Sequence, residues 1–251
     1  MSSQAGIEAV VIPAHNEART IRAVAAGALQ RLPLVIVVDD ASTDGTADLL
    51  EGLPVIVLRN EQNRGKAASL LRGAHEAIER GASAIVTLDG DGQHSPEDIP
   101  SLLKACRAMP GSIVIGARLH HRDRIPPSRY WANRFANFWI SLASGYRIAD
   151  TQSGFRVYPA RLLQATNVRA DRSRCFVFES EILIEAARRG VVAACVPINV
   201  VYSERGRASY FRPVVDIARI VRMVAWRLLR EGTLLRALSP WRDANNKTAT
   251  P

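Results

Sequence analysis

The stretch SAIVTLDGDGQH (residues 83–94) runs an apolar segment straight into two carboxylates, Asp89 and Asp91, with only Gly90 between them. Its apolar part has the length and β-branched content of a buried strand, expected over 84–88. Two carboxylates this close repel one another. A polar turn accommodates them, whereas a divalent cation with oxygen ligands relieves the repulsion and can also hold a diphosphate. An EF-hand is excluded, because Gln93 and His94 stand where its loop needs Asp or Asn and then Gly. A phosphatase of the DxDG kind, with Asp89 as nucleophile, carries its motif after the first strand of the fold.

Here the motif follows a fourth strand. Ala9-Val10-Val11-Ile12, ended by Pro13, reads as the first, Leu34-Val35-Ile36-Val37-Val38 as the second and Val55-Ile56-Val57-Leu58 as the third. Helices are expected over 17–30, from Ser42-Thr43-Asp44-Gly45 to about Leu50, and over 65–80. A further helix is expected over 95–109, with Ser95 as its cap and Pro96 in the first helical position. Another strand is expected over 112–116, one more within 191–202, and a long helix over 213–236. Strand alternating with helix predicts a mostly parallel central sheet with helices on both faces. Ligands of such sheets bind at the carboxyl ends of the strands. The polar clusters fall there: His15-Asn16-Glu17, Asp39-Asp40, Asn63-Arg64-Gly65-Lys66 and Asp89-Gly90-Asp91. The Asp39-Asp40 pair resembles the acidic cluster of a receiver domain, but it ends the second strand rather than the first.

The bulk properties narrow the class. A chain of 251 residues, 47% of them apolar, can bury a sizeable core. No run of 18 apolar residues reads as a membrane span. The N-terminal segment does not read as a signal peptide, and three dispersed cysteines form no disulfide framework, which suits a cytoplasmic protein. Charge is divided unevenly: residues 1–117 carry a net −4 and residues 118–251 a net +13. The basic half calls for an anionic partner, such as nucleic acid, a phosphorylated small molecule or a membrane surface. A nucleic-acid binder would leave the clustered carboxylates unexplained.

Seven segments, in order, resemble a family 2 glycosyltransferase of the GT-A fold. They are VVIPAHNE (10–17), VIVVDDASTDGT (35–46), NRGKAASL (63–70), LDGDGQHSPEDI (88–99), VIGAR (114–118), DTQSGFRVY (150–158) and SERGRAS (203–209). The similarity is greatest to the dolichyl- and polyprenyl-phosphate mannosyl- or glucosyltransferases. It implies a GT-A catalytic domain over 1–212, followed by a basic amphipathic helix (213–238) and a disordered tail (239–251). It implies that Pro13, Ala14, His15, Asn16 and Glu17 line a nucleotide pocket. Val38, Asp39 and Asp40 would hold the base, with Gly65 and Lys66 beside the nucleotide. Asp89, Asp91 and Gln93 would hold Mg²⁺ or Mn²⁺ against the diphosphate of a UDP- or GDP-sugar, with Gly90 admitting the ligand.

Breaking a sugar–diphosphate bond builds negative charge on the leaving group, which a cation and an arginine stabilise most in the transition state. Arg118 and Arg205 are the candidate arginines. Asp150 is a candidate base, or a partner that orients an arginine such as Arg156. Glu179 and Glu181 are expected to begin a helix, and Glu179 is the better candidate to face the crevice. The expected acceptor is a polyprenyl phosphate, contacted by Arg205, Arg207, Ser209 and Arg212; the alternative is a lipid hydroxyl or small polar acceptor. Tyr210 stands where relatives often have Lys, and the QxxRW element of processive synthases is absent. The helix 213–236 carries apolar residues at three- and four-residue spacing with Arg219, Arg222, Arg227 and Arg230 mostly elsewhere, which suits the cytoplasmic face of a membrane and equally packing on the catalytic domain or a partner protein.

Overall fold

The computed structural model describes residues 6–118, 127–166 and 175–199, together with residue 222. The apolar runs form seven strands in one sheet: β1 (Ile7–Ala14), β2 (Leu34–Asp39), β3 (Ile56–Arg59), β4 (Ala82–Thr87), β5 (Ile113–Ala117), β6 (Arg156–Pro159) and β7 (Ala193–Pro197). Their order is β3-β2-β1-β4-β6-β5-β7. Every pairing is parallel except those of β6, which runs antiparallel to β4 and β5.

The two-residue period of a strand divides each one between two cores. Ala9, Val11, Ile36 and Val38 face one hydrophobic cluster, and Val10, Ile12, Val35 and Val37 face the other. The first cluster is covered by α2 (Lys66–Glu79), α4 (Pro127–Ser144), α5 (Ala160–Ala165) and α6 (Cys175–Arg188). The second is covered by α1 (Ile21–Leu29) and α3 (Ile99–Ala108). Burial on both faces is why β1, β2, β4 and β5 read as unbroken apolar runs.

Three elements depart from expectation. The segment 42–50 holds only a 3₁₀ turn, Asp48–Leu50, instead of a helix. Its polar side chains bind backbone amides elsewhere and so compete with helix formation: Ser42 Oγ accepts from Asn16 N, Thr46 Oγ1 from Glu17 N and Asp44 Oδ2 from Ala18 N. Next, α1 starts only at Ile21, after a turn in which Glu17 O accepts from Thr20 N and Ile21 N. Glu179 and Glu181 lie past the first turn of α6, which begins at Cys175. The cap at Ser95 forms as expected, accepting from Glu97 N with Pro96 next in line, but it opens a 3₁₀ turn (Pro96–Asp98) that leads into α3. The expected helix 213–236, the tail and the candidate acceptor residues Arg205, Arg207, Ser209 and Arg212 lie outside the described residues.

The approach of α2 to the sheet depends on Gly73. A Cβ there would stand 2.5 Å from Val11 Cγ1 and 2.9 Å from Val38 Cγ2. Gly73→Val is therefore expected to destabilise the fold by about 1–3 kcal/mol through overpacking. Urea denaturation checks this; an unchanged midpoint would show that the helix can shift without cost.

Candidate active site

The carboxyl ends of β1, β2 and β4 open on one edge of the sheet, and their loops are tied to one another. Asn16, at φ +57°, accepts from Thr43 N through Oδ1. His15 Nδ1 donates to Asp40 O at 2.8 Å, which fixes its tautomer. Thr20 Oγ1 donates to Gly90 O at 2.6 Å and joins the first loop to the acidic one. Pro13 and Ala14 end β1 in register with Val38 and Asp39 of β2.

The Asp39-Asp40 carboxylates are both turned to internal work. Asp39 Oδ1 accepts from Ser42 N at 3.1 Å. Asp40, almost fully buried, accepts from Asn60 Nδ2 and Arg64 N through Oδ1 and from Gly65 N through Oδ2, all within 2.8 Å. A carboxylate has about four acceptor positions, so three are used to clamp the loop that leads into α2. Here Asp40 sets the position of Lys66, a role distinct from the expected contact to a base.

Lys66 is the first residue of α2, behind Gly65 at φ +90°. A cation is unfavourable at a helix N-terminus, where the backbone dipole is already positive. Two carboxylates offset it: Nζ lies 2.7 Å from Asp89 Oδ1 and 2.8 Å from Glu179 Oε1. Burial opposes the Lys66 charge, but these two neighbours outweigh it and hold its pKa above the usual lysine range. Burial likewise works against ionised Asp89, and Lys66, with help from His94 and Arg118, keeps that carboxyl below its usual value.

Gly154 lies against this cluster. A Cβ there would meet Lys66 Nζ at 2.7 Å, Asp89 Oδ2 at 2.8 Å and Glu179 Oε1 at 3.1 Å. Its carbonyl accepts from Thr87 Oγ1 at 2.7 Å. A side chain at Gly90, by contrast, would meet Ala14, Ile21 and Glu17 only at ordinary contact distance, so packing there leaves room for a Cβ. Asp91 Oδ1 accepts from Gln93 N at 3.0 Å and closes the acidic loop on itself.

Asp150 is almost fully buried and pairs with Arg118 through two bonds, Nε to Oδ2 at 2.9 Å and Nη2 to Oδ1 at 3.0 Å. Burial raises its pKa, but Arg118 overrides that and holds the carboxyl below its usual value. Arg156 is not its partner. That guanidinium is fully buried and donates to the carbonyls of Thr151, Ser153 and Glu179 and to the Tyr158 hydroxyl, joining the 150–155 loop to α6. His94 stacks near Phe155 with ring centroids 5.5 Å apart, and neither ring nitrogen has a hydrogen-bond partner among the described residues. Burial, reinforced by Arg118 and Lys66, brings its pKa down to about 4, so the ring is neutral.

Glu179, Gly154 and His94 carry no local signal comparable to the DxD pair. Gly154 falls inside DTQSGFRVY, and that motif was the one pointer to it.

A cation-binding role is compatible with these donors. The loop 89–93 offers only oxygen ligands on its side chains, which suit a hard cation such as Mg²⁺ or Mn²⁺. Asp89 already faces a positive group. Among the described residues no cluster of three or more His, Cys, Asp and Glu could enclose a metal without other ligands.

The family model for glycosyl transferase family 2 matches residues 9–166, more than half of the chain. The chain belongs to glycosyl transferase family 2. It is a glycosyltransferase with the expected GT-A fold. It is 30% identical over 237 residues to the undecaprenyl-phosphate mannosyltransferase of Micrococcus luteus, covering 90% of this chain and 96% of that one. It is 29% identical over 247 residues to the UDP-N-acetylglucosamine–dolichyl-phosphate N-acetylglucosaminyltransferase of Methanococcus voltae, covering 90% and 97%. Among solved structures, the glucosyl-3-phosphoglycerate synthase of Mycobacterium tuberculosis with Mn²⁺, UDP and glucosyl-3-phosphoglycerate superimposes with a TM-score of 0.67. The two share 21% identity over 94% of this chain and 81% of that one, which is a likeness of fold.

In this glycosyltransferase, Asp150→Ala removes the partner of a largely buried arginine and is expected to cost about 3 kcal/mol at pH 7. The Asp150 carboxyl has a depressed pKa, so its contribution is complete above the ordinary value of 3.8 and is lost as pH falls through the lower folded value. The stability gap between wild type and variant should thus be constant near neutrality and close below that value. A variant as stable as wild type at pH 7 would contradict the pairing.

Proposed function

We propose that this glycosyltransferase is an inverting, metal-dependent enzyme that moves a sugar from a UDP- or GDP-sugar to a polyprenyl phosphate at the cytoplasmic face of a membrane. The observation that carries this reading is the charge pattern at the sheet edge. Asp89, on the acidic 89–91 loop, and Glu179 face a lysine at a helix N-terminus, in a chain that matches two lipid-phosphate sugar transferases over 90% of its length.

Asp89, Asp91 and Gln93 would hold Mg²⁺ or Mn²⁺. When bound, the cation supplies charge neutralisation for the diphosphate leaving group. The chain's own groups do the rest. The first turn of α2, behind Gly65, would offer backbone N–H groups to a phosphate, and Lys66 its ammonium. Pro13 to Glu17, held by the 42–46 loop, form one wall of the nucleotide pocket, and Val38 to Asp40 form its floor. Arg118, held in one orientation by Asp150, presents a fixed positive charge whose stabilisation grows as the leaving group becomes anionic.

The acceptor phosphate oxygen forms the new bond to the anomeric carbon as the bond to the diphosphate oxygen breaks, and the electron pair leaves with the diphosphate. A phosphate is already ionised near neutral pH and needs no base. That fits the carboxylates at hand: Asp150 is committed to Arg118, and Glu179 is paired with Lys66. A hydroxyl acceptor would need a group free to take its proton. Arg205, Arg207, Ser209 and Arg212 remain the proposed contacts to the acceptor.

Purified enzyme with Mn²⁺ and radiolabelled UDP- or GDP-sugars is expected to label polyprenyl phosphate. Asp91→Ala should lower that rate by about a thousandfold or more while leaving the circular dichroism unchanged. Lipid-phosphate labelling that survives in the variant, or in excess chelator, would remove the metal role. Labelling of a lipid alcohol only would move the acceptor to the hydroxyl class.

A further inference from the structure

The α4 helix presents a second surface that the transfer reaction does not use. Trp131, Phe135 and Phe138 are 64%, 45% and 50% exposed, and with the exposed Arg134 they fall within an arc of about 100° on the helix. The opposite side is buried: Ala132, Ala136 and Ile140 pack toward the core. Three neighbouring large aromatic side chains, each about half exposed or more on one helix face, mark a binding surface rather than chance exposure.

The charge around them selects the partner. The α4 sequence, Pro127–Ser144, contains Arg129 and Arg134 and no Asp or Glu. Arg134 lies 5.8 Å over the Tyr130 ring, and Tyr130 meets Trp131 edge to face at 5.7 Å. Tryptophan, phenylalanine and arginine without acids are the composition of a surface that sits among lipid headgroups. A second copy of the chain, or its basic segment 213–236, would bring like charge onto the same face.

We propose that this face of α4 docks on an anionic lipid bilayer. Docking there would bring the transfer site to its lipid. Asn137, on the buried side of the same helix, donates to Ala149 O at 2.6 Å and accepts from Thr151 N at 2.9 Å, so it brackets Asp150 and through it Arg118. The helix that meets the bilayer is thereby joined by hydrogen bonds to the loop that holds the arginine of the site. The proposal deepens the lipid-acceptor reading and rests on it for its purpose, but the surface can be tested without an acceptor.

The test is flotation of the full chain with phosphatidylcholine vesicles, with and without phosphatidylglycerol, and with no polyprenyl phosphate present. The wild type is expected to float with the anionic vesicles and to be released by salt. The variant W131A/F135A/F138A should lose more than about tenfold in vesicle affinity. Arg134→Glu, which leaves the apolar face intact, should lose about fivefold or more, and only on anionic vesicles. Transfer to a short-chain acceptor in detergent should persist in both variants. Failure of the wild type to float, or undiminished flotation of both variants, overturns the proposal. So does a dimer in analytical ultracentrifugation that the triple variant converts to monomer without any change in flotation. Flotation that behaves as expected while no lipid phosphate is ever glycosylated would retain the surface and remove the acceptor reading.

Discussion

The Lys66 ammonium stands within 2.8 Å of both Asp89 and Glu179, and through that one group the ends of β4, α2 and α6 are brought together. Each partner would be costly without the others. The lysine sits at the positive end of a helix, Asp89 is largely buried, and Glu179 is almost fully so. Gly154 is the fourth participant, because only a residue without a side chain can pass this close to the three charged groups. The rest of the crevice is arranged around the cluster. Asp40 fixes the approach to Lys66 from one side, and Thr87 and Arg156 fix the Gly154 loop from the other.

Such a cluster suits the proposed binding of a diphosphate and a cation. The Asp89 carboxyl is kept ionised by charge already present, so no proton has to be displaced there when a cation arrives. The lysine lies where a phosphate at the α2 N-terminus would draw it. Beside the cluster, Asp150 and Arg118 form a second ion pair, with the acid engaged in holding the arginine. Two buried pairs, one at the acidic loop and one beside it, give a preorganised field for a leaving group that gains negative charge.

Much of this was legible in the sequence because parallel strands buried on both faces leave unbroken apolar runs. β1 to β5 and β7 were each found near their true positions in this way. β6 was not, because its four residues include a buried Arg156 and a proline, and the arginine is satisfied by carbonyls that are invisible in a sequence pattern. The 42–50 segment reads as a helix start by composition, yet its Ser, Asp and Thr side chains are taken by the amides of residues 16–18. Local charge marked the DxD pair as a polar turn or a cation site, and the seven-segment resemblance favoured the cation. Glu179 and Gly154 reach the cluster by tertiary packing across ninety and sixty-five positions of chain from Asp89, so the sequence pattern near them gave no comparable signal.

The central claim is that the acidic loop takes a divalent cation together with a nucleoside diphosphate. Electron paramagnetic resonance of Mn²⁺ titrated into the protein, with and without UDP or GDP, tests it most directly. Binding of Mn²⁺ that one of these nucleotides tightens, and that Asp89→Asn/Asp91→Asn abolishes in a folded protein, is the predicted result. Mn²⁺ binding that ignores both nucleotides, or that survives in the double variant, would contradict it.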